Sequence, residues 1–231
     1  LCGAPLDVEL SDDSRERLLI PAQDFWRQKV ATDATLAQLV FDRKCTPEEM
    51  LAEIKSYTGR PYLKFRRPEG DLKEAQANLQ ETWQKVCGQL EDLEKAFWTI
   101  LPKLNGQTYK RNTFENVFTD LKTNAESSRL PHLSKQTLGK LSLFSIDTLN
   151  SKLKKEYKAD ADAPEIIQLQ ALANLGRDLQ AMESAEEAVF ICLQLDLLSY
   201  INQSVAEQKK SRRERVFDDL LLDVHQALTT N

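Results

Sequence analysis

Two short stretches of the chain mix aromatic and cationic side chains in a way that could hold a polyanion. In "GRPYLKFRRPEG", residues 59 to 70, Lys64, Arg66 and Arg67 interleave with Tyr62 and Phe65, and farther on Tyr109 leads into Lys110, Arg111 and Asn112. Cations neutralise phosphates and aromatic faces pack on sugars or bases, so this mixture suits nucleic acid. Lys64, Arg66, Arg67, Tyr109, Lys110, Arg111 and Asn112 are therefore the candidate DNA contacts. The competing reading of any charge run is a solvated face. A third cluster, in "KKSRRERVFDDLLLDV" from residue 209 to 224, places five basic side chains ahead of Phe217 and the pair Asp218 and Asp219.

Catalytic chemistry finds no support. The glycines form neither GxxxxGK[ST] nor GxGxxG, so nucleotide hydrolysis by this chain alone is not expected. His132 follows Pro131 in a polar connection and His225 lies near the last helix end, with no paired nucleophile or metal spacing around either. Asp218, Asp219 and Asp223 could offer oxygen ligands to a divalent metal. Positions i, i+1 and i+5 do not share one helix face, however, and the first turn of a helix is the better place for Asp218 and Asp219. Cys2, Cys45, Cys87 and Cys192 are far apart and make no CxxC, which supports neither a zinc site nor a disulfide framework and points to reduced thiols in a cytoplasmic protein. No catalytic, metal or cofactor residue is assigned.

The elements that must carry these side chains are helical. Seven glycines and eight prolines in 231 residues, with charged residues at 29%, is the composition of helices. A net charge of -5 excludes an overall basic coat but leaves room for local basic patches. The longest apolar run, Ala188 to Tyr200, contains Gln194 and Asp196 and reads as a buried helix, so no membrane is expected. The first residue is Leu and no charged segment precedes an apolar stretch, so a signal peptide is not expected and the chain reads as a piece of something larger.

Along the chain, Leu18, Leu19, Ala22, Phe25 and Trp26 have helical spacing, with Pro21 expected to kink or divide the helix. A second helix is expected from Thr35 to Lys44. A third is punctuated by Thr46 as N-cap, Pro47 at the first position, Glu49 closing a capping box and Gly59 as the stop. Residues 59 to 70 are too proline-rich for a helix and should form an extended, exposed excursion. From Asp71 to Leu104, the residues Trp83, Val86, Leu90, Leu93, Phe97, Ile100 and Leu104 alternate steps of three and four, which lays an apolar seam along one side. Leu172, Leu175, Leu179, Met182, Val189 and Leu193 repeat the alternation between Pro164 and about Arg215. These two helices are expected to pair antiparallel. Between them a helix from Thr113 to about Lys122, a Ser-Pro-Leu-rich connection, a short helix near Asp147 to Tyr157 and the loop "KADADAP" are expected. The fold class is all-α: an elongated helical bundle on a long antiparallel pair, with irregular connections, forming one domain over residues 1 to 231.

Both ends of the chain resemble a known family. "ELSDDSRERLLIPAQDFWRQKV", and Asp24-Phe25-Trp26-Arg27 within it above all, is similar to the segment that follows the early helicase motifs of the RecB family, the beta subunits of exodeoxyribonuclease V. "RRERVFDDLLLDVHQAL" resembles the stretch by which UvrD-like superfamily 1 helicases, RecB and AddA among them, return to the first motor domain. The middle agrees in layout more than in letters. The resemblance implies a helical insertion, the 1B subdomain, with residues 217 to 231 forming the helix that returns toward the motor. It implies a parent that uses ATP and Mg2+ to unwind and degrade duplex ends in break repair by homologous recombination, with RecC-like and RecD-like partner subunits and DNA as a duplex end or fork. The chain departs from the family in lacking both Walker motifs, the later helicase motifs and the nuclease domain, so no catalytic residue carries over. The expected role is a DNA-guiding, subunit-contacting arm. The alternatives are a helical protein-docking module without DNA contact, or the same insertion of an AddA-like or UvrD-like helicase.

Overall fold

A computed structural model describes residues 9–10, 15–60, 62–68, 70–126, 133, 135–157, 164–212 and 214–215. His132, His225, Cys2, the aspartates 218, 219 and 223, the expected helix 217–231 and nearly all of "KADADAP" lie outside them. The fold is all-α. The chain divides into two compact units, Leu1–Pro68 with Ile191–Asn231 and Glu69–Phe190.

The first unit holds α1 (Arg15–Phe25), α2 (Ala34–Asp42) and α3 (Pro47–Ile54), together with the part of a long helix, α8 (Pro164–Arg212), that follows Phe190. α1 runs through Pro21 rather than dividing there. Proline removes one rung of the hydrogen-bond ladder, but Pro21, Ala22 and Phe25 are buried and α1 packs on α3, which holds the turn together. The ladder changes only afterwards, in a π turn over Trp26–Val30 closed by the Ala31 N–H donating to the Trp26 carbonyl at 2.9 Å. The tetrapeptide Asp24-Phe25-Trp26-Arg27 straddles this junction, with Phe25 against Tyr200 at 5.6 Å between ring centroids. Asp33 caps α2 by accepting from the N–H groups of Thr35 and Leu36. α3 starts as its sequence dictates: the Glu49 N–H donates to Thr46 Oγ1 and the Thr46 N–H donates to the Glu49 carboxylate.

The second unit is built on α4 (Leu72–Ile100). Asp71 and Glu74 form a capping box at its start. Ala75, Leu79, Trp83, Val86, Leu90, Leu93, Phe97 and Ile100 are buried along one side, and Leu169, Leu172, Leu175, Leu179, Met182 and Val189 are buried on the facing half of α8. An extended bridge between Leu104 and Leu153, with the Asn105 N–H donating to the Lys152 carbonyl at 2.9 Å, ties the segment after α4 to the segment before α8. Lys85, about four turns back from the end of α4, and Asp178, about four turns into α8, form an ion pair at 2.7 Å. Equal distances from a shared end make the pair antiparallel.

α5 (Arg111–Glu126), α6 (Lys135–Leu141) and α7 (Ile146–Ser151) complete the unit. α6 falls where the sequence suggests only a connection, since seven residues around Gly139 carry too little periodicity to be read. Tertiary contact stabilises it: the buried Thr137 hydroxyl donates to Asp120 Oδ2 on α5 at 2.6 Å. Phe97 is the centre of the core, with the rings of Tyr109, Phe114, Phe118 and Phe144 at 4.7 to 6.4 Å.

α8 passes, by length and composition alone, for a helix able to cross a membrane. Within the run expected to be a buried helix, Val189, Phe190, Cys192, Leu193, Leu197 and Leu198 are buried in the protein. Among the described residues the one strand pairing is a two-residue parallel ladder in the first unit, β1 (Glu9–Leu10) with β2 (Glu214–Arg215), in which Glu9 pairs with Glu214 and Leu10 with Arg215.

Candidate nucleic-acid interface

The two basic segments belong to different units, and each is built differently. In the first unit α3 runs into a tight turn at Lys55–Tyr57 and stops at Gly59, whose φ of +71° lies in the left-handed region that favours glycine. The Gly59 N–H donates to Asn202 Oδ1 at 3.0 Å, which fixes the exit of the chain on α8. A turn from Arg60 to Leu63 follows, and residues 63–67 then run without helix or ladder, as the prolines of the sequence require.

Alternate residues of this run are fastened. Phe65 stands edge-on to Tyr57 at 5.5 Å between centroids, and Arg67 pairs with Asp196 of α8 at 2.7 Å. Lys64 and Arg66 are exposed and make no hydrogen bond or ion pair among the described residues. Tyr62 is 67% exposed. Of the three cations expected to meet phosphate here, Arg67 is thus already neutralised by a carboxylate.

In the second unit, Asn105 organises the turn between α4 and α5: its Oδ1 accepts from the Gln107 N–H and its carbonyl accepts from the Tyr109 N–H. Tyr109 departs from the expectation of an aromatic beside the cations on the surface. Its side chain is 1% exposed, its ring stacks on Phe114 and its hydroxyl donates to the Leu143 carbonyl at 2.9 Å. Burial pushes its phenol up to about 12. Two aromatic neighbours and a satisfied hydroxyl make this position part of the core, so Tyr109 cannot pack on a sugar or base.

Arg111 donates from Nε to Glu115 Oε1 at 3.0 Å, and its guanidinium lies over the ring of Trp98 at 5.4 Å. Lys110 and Asn112 are exposed, and their side chains make no hydrogen bond or ion pair among the described residues. Lys110 precedes the start of α5, where the helix dipole adds to its positive potential instead of relieving it.

The third cluster has a structural explanation in its described part. Lys209, Lys210 and Arg212 form the last turn of α8, where cations complement the negative end of the helix dipole. Phe217 and the aspartates that follow lie outside the described residues.

The sequence reading missed Asp196, Glu115, Trp98 and Tyr57, which decide which cations stay free. The Arg111 to Glu115 spacing of four was a legible signal. The others are long-range partners with none.

Among the described residues no three His, Cys, Asp or Glu side chains cluster to hold a metal ion. Cys45, Cys87 and Cys192 take part in no disulfide among the described residues, and burial together with Glu53 and Glu49 pushes the Cys45 thiol up to about 11. A cavity of about 590 Å³, floored by Leu138, Leu141, Ile146, Ala173 and Leu179, contains none of the candidate residues. No protein-family model matches the chain, and no curated protein matches it.

Proposed function

We propose that this chain is a non-catalytic, DNA-guiding and subunit-contacting arm of a RecB-like ATP-dependent helicase and exonuclease acting in double-strand break repair by homologous recombination. The observation that supports this reading most is the parallel ladder of β1 with β2. An insertion must leave and rejoin its host at neighbouring points, and this ladder sets the start and the close of the helical region side by side. Parallel strands also belong to sheets covered by helices on both faces, and two residue pairs are too few to stand alone. A larger parallel sheet in a flanking motor domain is the setting in which such a ladder makes sense. ATP and Mg2+ belong to that parent motor, and no residue of this chain is assigned to them.

The free cations Lys64, Arg66 and Lys110, with Asn112, are the DNA contacts in this reading, and RecC-like and RecD-like subunits are the protein partners. Fluorescence anisotropy with a forked duplex at low salt tests the first part. Binding should weaken as salt rises, by about 0.9 in the log–log slope for each phosphate neutralised, and should weaken further in Lys110→Ala/Arg111→Ala. Coincident wild-type and mutant curves reject this cluster.

A second reading, a protein-docking module without DNA contact, draws on Phe41 and Ile20, which are 77% and 57% exposed. Copurification with a RecC-like protein that is lost in Phe41→Ser and unaffected by Lys110→Ala/Arg111→Ala would favour it.

A further inference from the structure

We infer that the run from Tyr62 to Arg66 holds single-stranded DNA, with the sugar–phosphate backbone on Lys64 and Arg66 and a base stacked on Tyr62. This rests on the DNA-arm reading and specifies the form of DNA that this segment takes.

The geometry of the run carries the inference. Phe65 meets Tyr57 edge-on and Arg67 pairs with Asp196. Lys64 and Arg66, which alternate with them, are exposed and make no side-chain hydrogen bond or ion pair among the described residues. Tyr62 stands at the entry of the same run with most of its ring in solvent. A segment anchored at Gly59, Phe65 and Arg67 is already ordered, so a ligand need not order it on binding.

The exposed ring chooses between strand forms. Bases in a duplex are stacked on one another and offer a protein only their edges, whereas an unpaired base offers a face, and aromatic side chains beside cations are the common platform for single strands. The charge is local as well. Arg60, Lys64, Arg66 and Arg67 stand against Glu69 alone in residues 59 to 70 of a chain whose net charge is -5, so a strand is drawn to this segment and not to the surface at large.

Anisotropy titrations of the full chain test this with three fluorescein-labelled probes at low salt: an oligothymidine, a duplex of equal length, and an abasic strand that keeps the phosphates. The oligothymidine should bind about tenfold or more tightly than the duplex. Tyr62→Ala should weaken the oligothymidine about fivefold or more while leaving the duplex and the abasic strand within about twofold, and Tyr62→Phe should restore binding. Lys64→Ala/Arg66→Ala should weaken both single strands and reduce the log–log salt slope by about 1.4. All three side chains are exposed, so melting temperatures should stay at the wild-type value. Equal affinity for duplex and oligothymidine, or indifference of the oligothymidine to Tyr62→Ala, overturns the inference and leaves the DNA-arm reading in place. Failure to bind any probe, the forked duplex included, removes both.

Discussion

The two basic segments read alike as sequence and fold in opposite senses. Around residue 64 the aromatics are exposed and the backbone runs without helix or ladder; around residue 110 the aromatic is inside and the cations lead into a helix. The difference lies in what flanks them. Gly59 and Pro68 isolate the first run from any helix, so its tyrosine has no core to enter and stays 67% exposed. The turn at Asn105 sits between α4 and α5, both of which feed the cluster around Phe97, and Tyr109 is drawn into it. An aromatic beside a cation therefore says nothing about exposure until the neighbouring elements are placed.

The comparison is tested hardest by truncating the two tyrosines. Tyr109→Ala removes a fully buried ring and should cost about 3–5 kcal/mol in urea denaturation. Tyr62→Ala removes an exposed ring and should stay within about 0.5 kcal/mol. Similar losses at the two positions would break the distinction between core and surface aromatic on which the single-strand inference depends.

A smaller effect sharpens the same contrast through pH. The Tyr109 phenol is raised from its ordinary 10.0 to about 12 by burial. The folded state thus holds this proton more tightly than the unfolded chain, and the stability it contributes is fully present below pH 10. That contribution is lost as pH rises through 10 toward 12, a decline of roughly 2 to 3 kcal/mol. Thermal melts across this window should fall more steeply for the wild type than for Tyr109→Phe. The variant gives up the hydrogen bond to Leu143, about 1 kcal/mol at neutral pH, but has no proton to lose.

Much of the fold was legible because its signals are local. Thr46, Pro47 and Glu49 mark the start of α3, and each cap is in place. The steps of three and four from Trp83 to Ile100 give the buried side of α4, and Leu172 to Val189 give that of α8. What escaped depends on contacts between distant residues. α6 is stabilised through Thr137 and Asp120, and α1 keeps its turn at Pro21 because the residues around it are packed. The candidate site was legible as a set of residue types and illegible as a surface: Arg67 and Asp196 lie far apart in the chain, as do Trp98 and Arg111, and nothing in the letters joins them. The resemblance to RecB-like helicases rests on the two ends, and most of the second lies outside the described residues.

The smallest expected effects divide the cations into those that hold the protein together and those that are free. The Arg67 and Asp196 side chains are only partly exposed, and a double-mutant cycle should return a coupling of about 0.2 to 1 kcal/mol. Arg111→Ala loses an i, i+4 pair and a cation–π contact, each worth less than about 1 kcal/mol at an exposed site. Lys64→Ala and Lys110→Ala lose no side-chain partner of either kind among the described residues and should leave urea midpoints unchanged, while weakening DNA binding and its salt slope. If Lys64→Ala destabilised the fold as much as Arg67→Ala, then Lys64 would be an anchor too. The division of this run into fastened and unfastened side chains would fail, and with it the reason for expecting Lys64 and Arg66 to meet a common ligand.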